Sequence, residues 1–143
     1  MAKALEFFDS NVLVAASLPE HVHHEASIAR LSPLSRGGGA CAAHSLAETY
    51  NTLTRVKGYQ VPTADAARII QYASRTYTIV TLTADETLEA IEDAALRGFE
   101  GPIIYDALLL ACARKVKAKS IYTSNIRHFR RIAPDLASRI FEP

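Results

Sequence analysis

Residues 4–16 read ALEFFDSNVLVAA: a short apolar and aromatic run, an aspartate, then a second apolar stretch opened by Ser10 and Asn11. Ala4 to Phe8 suits a buried β-strand, being short, apolar and bounded by a polar residue. Asp9 ends it, and a helix is expected to start beside Ser10. The same step from strand to helix recurs along the chain. Ala40 to Ala42 is a candidate strand after the turn-like Gly37-Gly38-Gly39, and the helix behind it carries Leu46, Tyr50 and Leu53 on one face. Tyr77 to Thr81 is a third strand, followed by Thr83 and Glu86 at capping-box spacing. The helix they open has Leu88, Ile91 and Ala95 on a common face, with Gly98 placed to end it. Ser120 to Thr123 reads as a short strand and Phe141 as part of a final edge strand. Further helices are expected from His21 to Leu34, after Pro62 with Ala66, Ile69, Ile70 and Ala73 inward, and from Pro102 to Lys115. Strands alternating with helices predict an α/β sandwich with a mostly parallel sheet, one domain over residues 1–143. Sheets of that kind bind ligands beyond the carboxyl ends of their strands.

Composition sets the broad class. At 143 residues, 49% apolar and 22% charged, the chain is an ordinary globular one with enough length to bury a core. Its longest apolar stretch, Ala107 to Ala113, is far short of a membrane span. The N-terminus makes a poor secretory signal, and the two cysteines, Cys41 and Cys112, read as small core residues rather than a disulfide framework. A cytoplasmic address is expected. Net charge is only +1, but it is unevenly spread: Asp85 to Asp106 holds seven acids against Arg97 alone. Ala107 to Pro134 then holds seven basic residues and no acid (Arg114, Lys115, Lys117, Lys119, Arg127, Arg130, Arg131). Either the two segments complement each other, or the second is a phosphate-binding surface.

Three carboxylates stand out. Each also has an ordinary structural role: Asp9 as a helix N-cap, Glu48 as the acid of a capping box with Ser45, and Asp106 as an anion at a helix start. Together those roles weaken, because all three fall at strand-to-helix junctions or early helical turns, which a parallel sheet brings to one edge. Asp106 also sits inside the apolar run GPIIYDALLLACA, a poor place for an unpartnered charge. Carboxylates converging there would repel one another unless a cation lay between them, and hard oxygen donors favour Mg²⁺ or Mn²⁺ over zinc. His21, His23 and His24 with Glu25 resemble a metal cluster, but neighbouring histidines on a helix diverge. Ser45 beside His44 lacks a nucleophile-elbow context, and the three glycines lack the Lys-Ser/Thr of a phosphate loop.

Four segments, FFDSNVLVAA, SLAETYNTL, IIYDALLLACA and IYTSNIRHF, resemble in order and spacing the motifs of PIN domains, and most of all the VapC toxins of toxin–antitoxin pairs. The resemblance runs from Phe7 to Phe129. It implies a three-layer α/β/α sandwich and a magnesium-dependent endoribonuclease, with manganese as the alternative ion. Asp9, Glu48 and Asp106 match the family's acidic metal ligands, and Ser10, Asn11 and Thr123 match its polar positions that place substrate. The fourth site position, commonly aspartate, is matched by Asn125 or by His128. Asn125 keeps an oxygen but loses a charge, whereas His128 offers a nitrogen less suited to magnesium.

The activity so implied is hydrolysis of RNA phosphodiester bonds by a metal-activated water, leaving a 5′-phosphate and a 3′-hydroxyl. The implied partners are an RNA substrate, a small antitoxin protein and a second copy of the chain in a homodimer. The competing expectation is a non-catalytic PIN-like RNA-binding or scaffold domain that has lost its fourth acid.

Overall fold

The computed structural model describes residues 5–34 and 37–143, so Ala4 of the expected first strand lies outside the described residues. Phe7 and Phe8 show how the layers arise. They are consecutive on β1 (Glu6–Phe8) and fully buried, and neighbouring strand residues point to opposite faces. Covering both faces keeps two phenylalanines from water, a gain of about 1.5–3 kcal/mol for each. Four further strands, β2 (Gly39–Ala42), β3 (Thr78–Val80), β4 (Ser120–Tyr122) and β5 (Ile140–Phe141), complete the sheet. The order is β3-β2-β1-β4-β5, and every pairing is parallel.

Phe7 packs beneath α6 (Ile103–Lys115) and α7 (Ile126–Ile132), among Leu109, Leu110, Phe129 and Ile132. Outside them α5 (Ala84–Leu96) lies against α6. Phe8 packs on the other face with Val12 and Leu13 of α1 (Ser10–Ser17), Leu31 of α2 (His24–Leu31) and Ala73 of α4 (Thr63–Thr76). Between α1 and α4 sits α3 (Ala43–Arg55), which buries Leu53 beside Val14 and Ala66. This is the three-layer α/β/α sandwich expected from the alternation. Among the described residues no helix is long and apolar enough to cross a membrane.

Local signals are met where they rest on backbone chemistry. Thr83 Oγ1 accepts from Glu86 N at 3.1 Å while Thr83 N donates to Glu86 Oε1 at 2.8 Å, which is the expected capping box. Gly98, at φ +72°, ends α5 in the left-handed region. The glycine run is more than a turn: Gly37 has φ +81°, but Gly39 is the first residue of β2. A Cβ on Gly39 would lie 2.9 Å from Tyr77 Cδ1 and 3.1 Å from Phe8 Cε1, so the sheet requires glycine there.

Three expectations, two of them based on apolar spacing, need correction. Tyr50 is partly exposed, and α3 turns Ser45, Thr49 and Leu53 inward instead. The Thr49 hydroxyl is satisfied by donating to Ser45 O at 2.7 Å, so a polar residue can take the buried position. On α5, Leu88 and Ile91 are exposed and Ala94 is buried. The inward side carries the small Ala94, with Glu86 paired to Lys115 of α6 and Arg97 donating to Ile132 O. The helix expected from His21 to Leu34 is shorter: α2 starts at His24, and Ser32–Leu34 is a 3-10 turn around Pro33.

Candidate active site

The chain leaves β1 toward β2 on one side, while β4 flanks β1 on the other. A crevice at the carboxyl ends of β1 and β4 follows from that reversal of strand order. Asp9 comes directly after β1 and Thr123 directly after β4. Asp9 is 6% exposed and uses both oxygens. Oδ1 accepts from Ser10 N at 2.7 Å, capping α1, and from Ser10 Oγ at 3.3 Å. Oδ2 accepts from Thr123 Oγ1 at 2.9 Å and from Asn11 Nδ2 at 3.0 Å. Asn11 reaches across as well, its Oδ1 accepting from Ser124 N at 3.3 Å. The buried Thr123 hydroxyl accepts in turn from Asn125 N at 3.0 Å. Ser10, Asn11 and Thr123 thus hold the first carboxylate and join α1 to the end of β4.

Glu48 and Asp106 arrive from helices. Because α3 begins at Ala43 directly after β2, Glu48 lies in its second turn. Ser45 is inside the helix and not its cap, so the capping-box role considered for Glu48 does not occur. Asp106 stands in the first turn of α6. Burial raises the Asp9 carboxyl from 3.8 to about 6, with the Thr123 bond opposing and the Asp106 charge adding to the rise. Glu48 is raised from 4.5 to about 7, first by burial and then by the charges of Asp9 and Asp106. Burial also raises Asp106, with His128 and His44 opposing it. The charge of Asp106 thus reaches Asp9, and those of Asp9 and Asp106 reach Glu48. Among the described residues, no three acidic, histidine or cysteine side chains stand around one point at coordinating distance.

Two imidazoles border the acids. His128 Nε2 is 2.9 Å from Asp106 Oδ2, whereas Asn125 is exposed and meets the site through its backbone. Of the two candidates for the fourth position, His128 is the one in contact with an acid. His44 escaped the sequence reading as a site residue. Its Nε2 lies 3.2 Å from Tyr105 O and 3.6 Å from Glu48 Oε1. Burial lowers its pKa, against the pull of the Tyr105 carbonyl and Asp106. The four-residue spacing between His44 and Glu48 on one helix was the available signal.

The basic segment does not form one surface beside this site. Lys115 Nζ pairs with Glu86 of the acidic segment at 2.6 Å, as complementary segments should, and Arg114 pairs with Asp135, outside that segment, at 2.9 Å. Lys117 and Lys119 precede β4, at the amino edge of an all-parallel sheet and opposite Asp9. Arg130 donates to the carbonyls of Ala137 and Ile140. Arg127, exposed in the first turn of α7, lies at the carboxyl edge. On the opposite face of the sheet, α1, α2 and α4 border an apolar groove of about 510 Å³ that includes Leu13, Ile28, Leu31, Ile69 and Tyr72.

A parallel α/β sandwich with a buried aspartate at its switch point, held by an Asp–Ser–Asn turn and a threonine, places the chain among small single-sheet α/β proteins. The particular family follows from comparison: the PIN domain model matches residues 7–134, and the chain belongs to that family. The fold is similar to the Sarcin-Ricin loop cleaving toxin VapC20 of Mycobacterium tuberculosis, with TM-score 0.64 and 23% identity over 81% of this chain and 86% of that one. It is also similar to VapBC2 from Rickettsia felis bound to a DNA fragment from its promoter, with TM-score 0.60 and 18% identity over 90% and 92%. A toxin–antitoxin complex from Klebsiella pneumoniae matches with TM-score 0.61 and 16% identity over 87% and 89%. No curated protein sequence matches the chain.

Proposed function

We propose that the chain is a divalent-metal-dependent endoribonuclease, the toxin of a toxin–antitoxin pair acting in the cytoplasm. What supports this reading is a PIN domain in which the Asp106 charge raises the Asp9 carboxyl and the charges of Asp9 and Asp106 raise that of Glu48. The chemistry of the donors suits the group: carboxylates raised by burial and by neighbouring negative charge are relieved by a hard cation, Mg²⁺ or Mn²⁺. When bound, that cation would neutralise charge on a phosphodiester and acidify water. Asp9 and Asp106 would hold it, and Glu48, half-exposed and raised to about 7, would orient the attacking water and take its proton. Thr123, Ser10 and Asn11 orient Asp9 by their hydrogen bonds to it, and Asn125 would be a further polar group beside the substrate. Arg127 would hold an RNA phosphate without reading sequence.

The solved relatives include toxin–antitoxin complexes, which supports a small antitoxin as partner. The apolar groove between α1, α2 and α4 is a surface suited to a partner helix. The uncovered row of Leu88 and Ile91 on α5 is available for pairing two copies into a homodimer. The test is cleavage of RNA by the purified, EDTA-stripped chain after addition of Mg²⁺ or Mn²⁺. Cleavage should require the metal and be abolished in Asp106→Asn; undiminished metal-dependent cleavage by that variant overturns the proposal.

A further inference from the structure

We propose that His44 is a positioning residue of the site: its Nε2–H ties α3 to α6 across the carboxyl edge of the sheet and keeps Glu48 turned toward Asp106. The inference rests on the endoribonuclease reading above and adds a residue to it. Glu48 rides on α3, in the layer that covers Phe8, whereas Asp106 rides on α6, in the layer that covers Phe7. The two acids therefore approach from opposite faces of the sheet, and packing within either layer does not fix their separation. Among the described residues, one hydrogen bond joins the two helices, from His44 Nε2 to Tyr105 O at 3.2 Å. Tyr105 directly precedes Asp106, so this bond grips the turn that carries the acid.

A carbonyl oxygen can only accept, so Nε2 of His44 carries a proton. The same nitrogen lies 3.6 Å from Glu48 Oε1, one turn further along α3. At that distance it is an electrostatic contact and not a hydrogen bond. Among the described residues it is still the one polar side-chain partner of the Glu48 carboxylate, which accepts no hydrogen bond. Both ends of the bridge are anchored. Ala42, two residues before His44, is fully buried in β2, and Leu109 and Leu110 fix α6 against Phe7. The imidazole itself is 30% exposed and is not part of the core. An N–H held between two rigid supports thus attracts the Glu48 carboxylate on one side and holds the Asp106 turn on the other.

The test uses the whole chain and three variants. His44→Gln keeps an amide N–H at similar reach, His44→Phe keeps a ring without a donor, and His44→Ala removes both. In RNA cleavage, kcat should fall about tenfold in His44→Phe and His44→Ala, the rate equivalent of one hydrogen bond, with KM nearly unchanged. His44→Gln should recover most of that loss. A readout without RNA or metal is the ring itself, in two-bond ¹H–¹⁵N spectra of the EDTA-stripped chain at about pH 8, above the ordinary imidazole range. The imidazole signal that is lost in His44→Gln should belong to the Nε2–H tautomer. An Nδ1–H tautomer there overturns the inference, as does an unchanged kcat in both His44→Phe and His44→Ala. So does a His44→Gln as slow as His44→Phe, or a kcat that follows Tm across the three variants and not the presence of the donor. Asp106→Asn separates the two claims. Undiminished cleavage by that variant, or no cleavage by the unmodified chain, refutes the endoribonuclease site and this role with it. Cleavage lost in Asp106→Asn but full in His44→Phe refutes only the role of His44.

Discussion

Asp9→Asn should make the metal-free protein more stable at neutral pH. Asp9 is 6% exposed, and its carboxyl is raised from 3.8 to about 6, chiefly by burial. At about 1.4 kcal/mol for each pH unit, keeping it ionised costs the folded chain about 3 kcal/mol. Asparagine removes the charge and little volume. Its Oδ1 can keep the bond from Ser10 N, but its amide then meets Thr123 Oγ1 and Asn11 Nδ2, which now donate. The Thr123 hydroxyl can rotate to accept, while the clash with Asn11 costs about 1 kcal/mol. The net gain is about 2 kcal/mol, or a rise in Tm of about 4–8 °C for a chain of this size. The pH dependence follows from the raised pKa. Below 3.8 the native carboxyl is neutral whether folded or not; as pH rises to about 6 the unfolded chain ionises first and native stability falls. The advantage of Asp9→Asn should therefore be full at pH 8 and small near pH 4. Thermal unfolding by circular dichroism in EDTA, with both proteins at both pH values, measures it. A variant no more stable at pH 8, or a gap that does not change with pH, refutes the reasoning.

Gly39→Ala should destabilise the fold by about 1–3 kcal/mol, because the new Cβ would meet Tyr77 Cδ1 at 2.9 Å and Tyr77 is packed edge-on against Phe8; denaturant unfolding checks it. Arg127→Gln should weaken RNA binding and lower its salt dependence by about one counterion, whereas Lys117→Gln, at the amino edge of the sheet, should leave both unchanged in filter-binding titrations.

What could be read from the sequence divides along physical lines. The strands were legible because consecutive apolar residues such as Phe7 and Phe8 must be covered on both faces, which demands helices on either side. The cap at Thr83 and the stop at Gly98 were legible because they depend on four or five neighbouring residues. The inward faces of α3 and α5 were not. On α5 the side turned to α6 carries Ala94 and the pair of Glu86 with Lys115, nearly thirty positions away, and leaves Leu88 and Ile91 exposed. Apolar spacing reports what a helix could bury, but which neighbours pack against it is set by residues far away in the chain. The basic segment misled for a similar reason. Residues adjacent in sequence from Arg114 to Arg131 pass across β4, and a parallel strand carries them from one edge of the sheet to the other.

The ordinary role of Asp9 and its proposed role in the site are not rivals. One carboxylate oxygen caps α1 through Ser10, and the other is fixed by Thr123 and Asn11, so neither is free to turn away. A helix start tolerates an anion because its first amides are unpaired. In a parallel sheet every such start lies at the carboxyl edge, beside the next strand's end. The backbone geometry that makes aspartate favourable at position 9 therefore also aims its charge at the crevice. Glu48 lacks this structural support: Ser45 does not cap α3, and no bond from a helix start holds its carboxylate. A half-exposed acid raised to about 7, with only a 3.6 Å contact to His44, has no structural bond to account for it, and this makes Glu48 the stronger support for the proposed site.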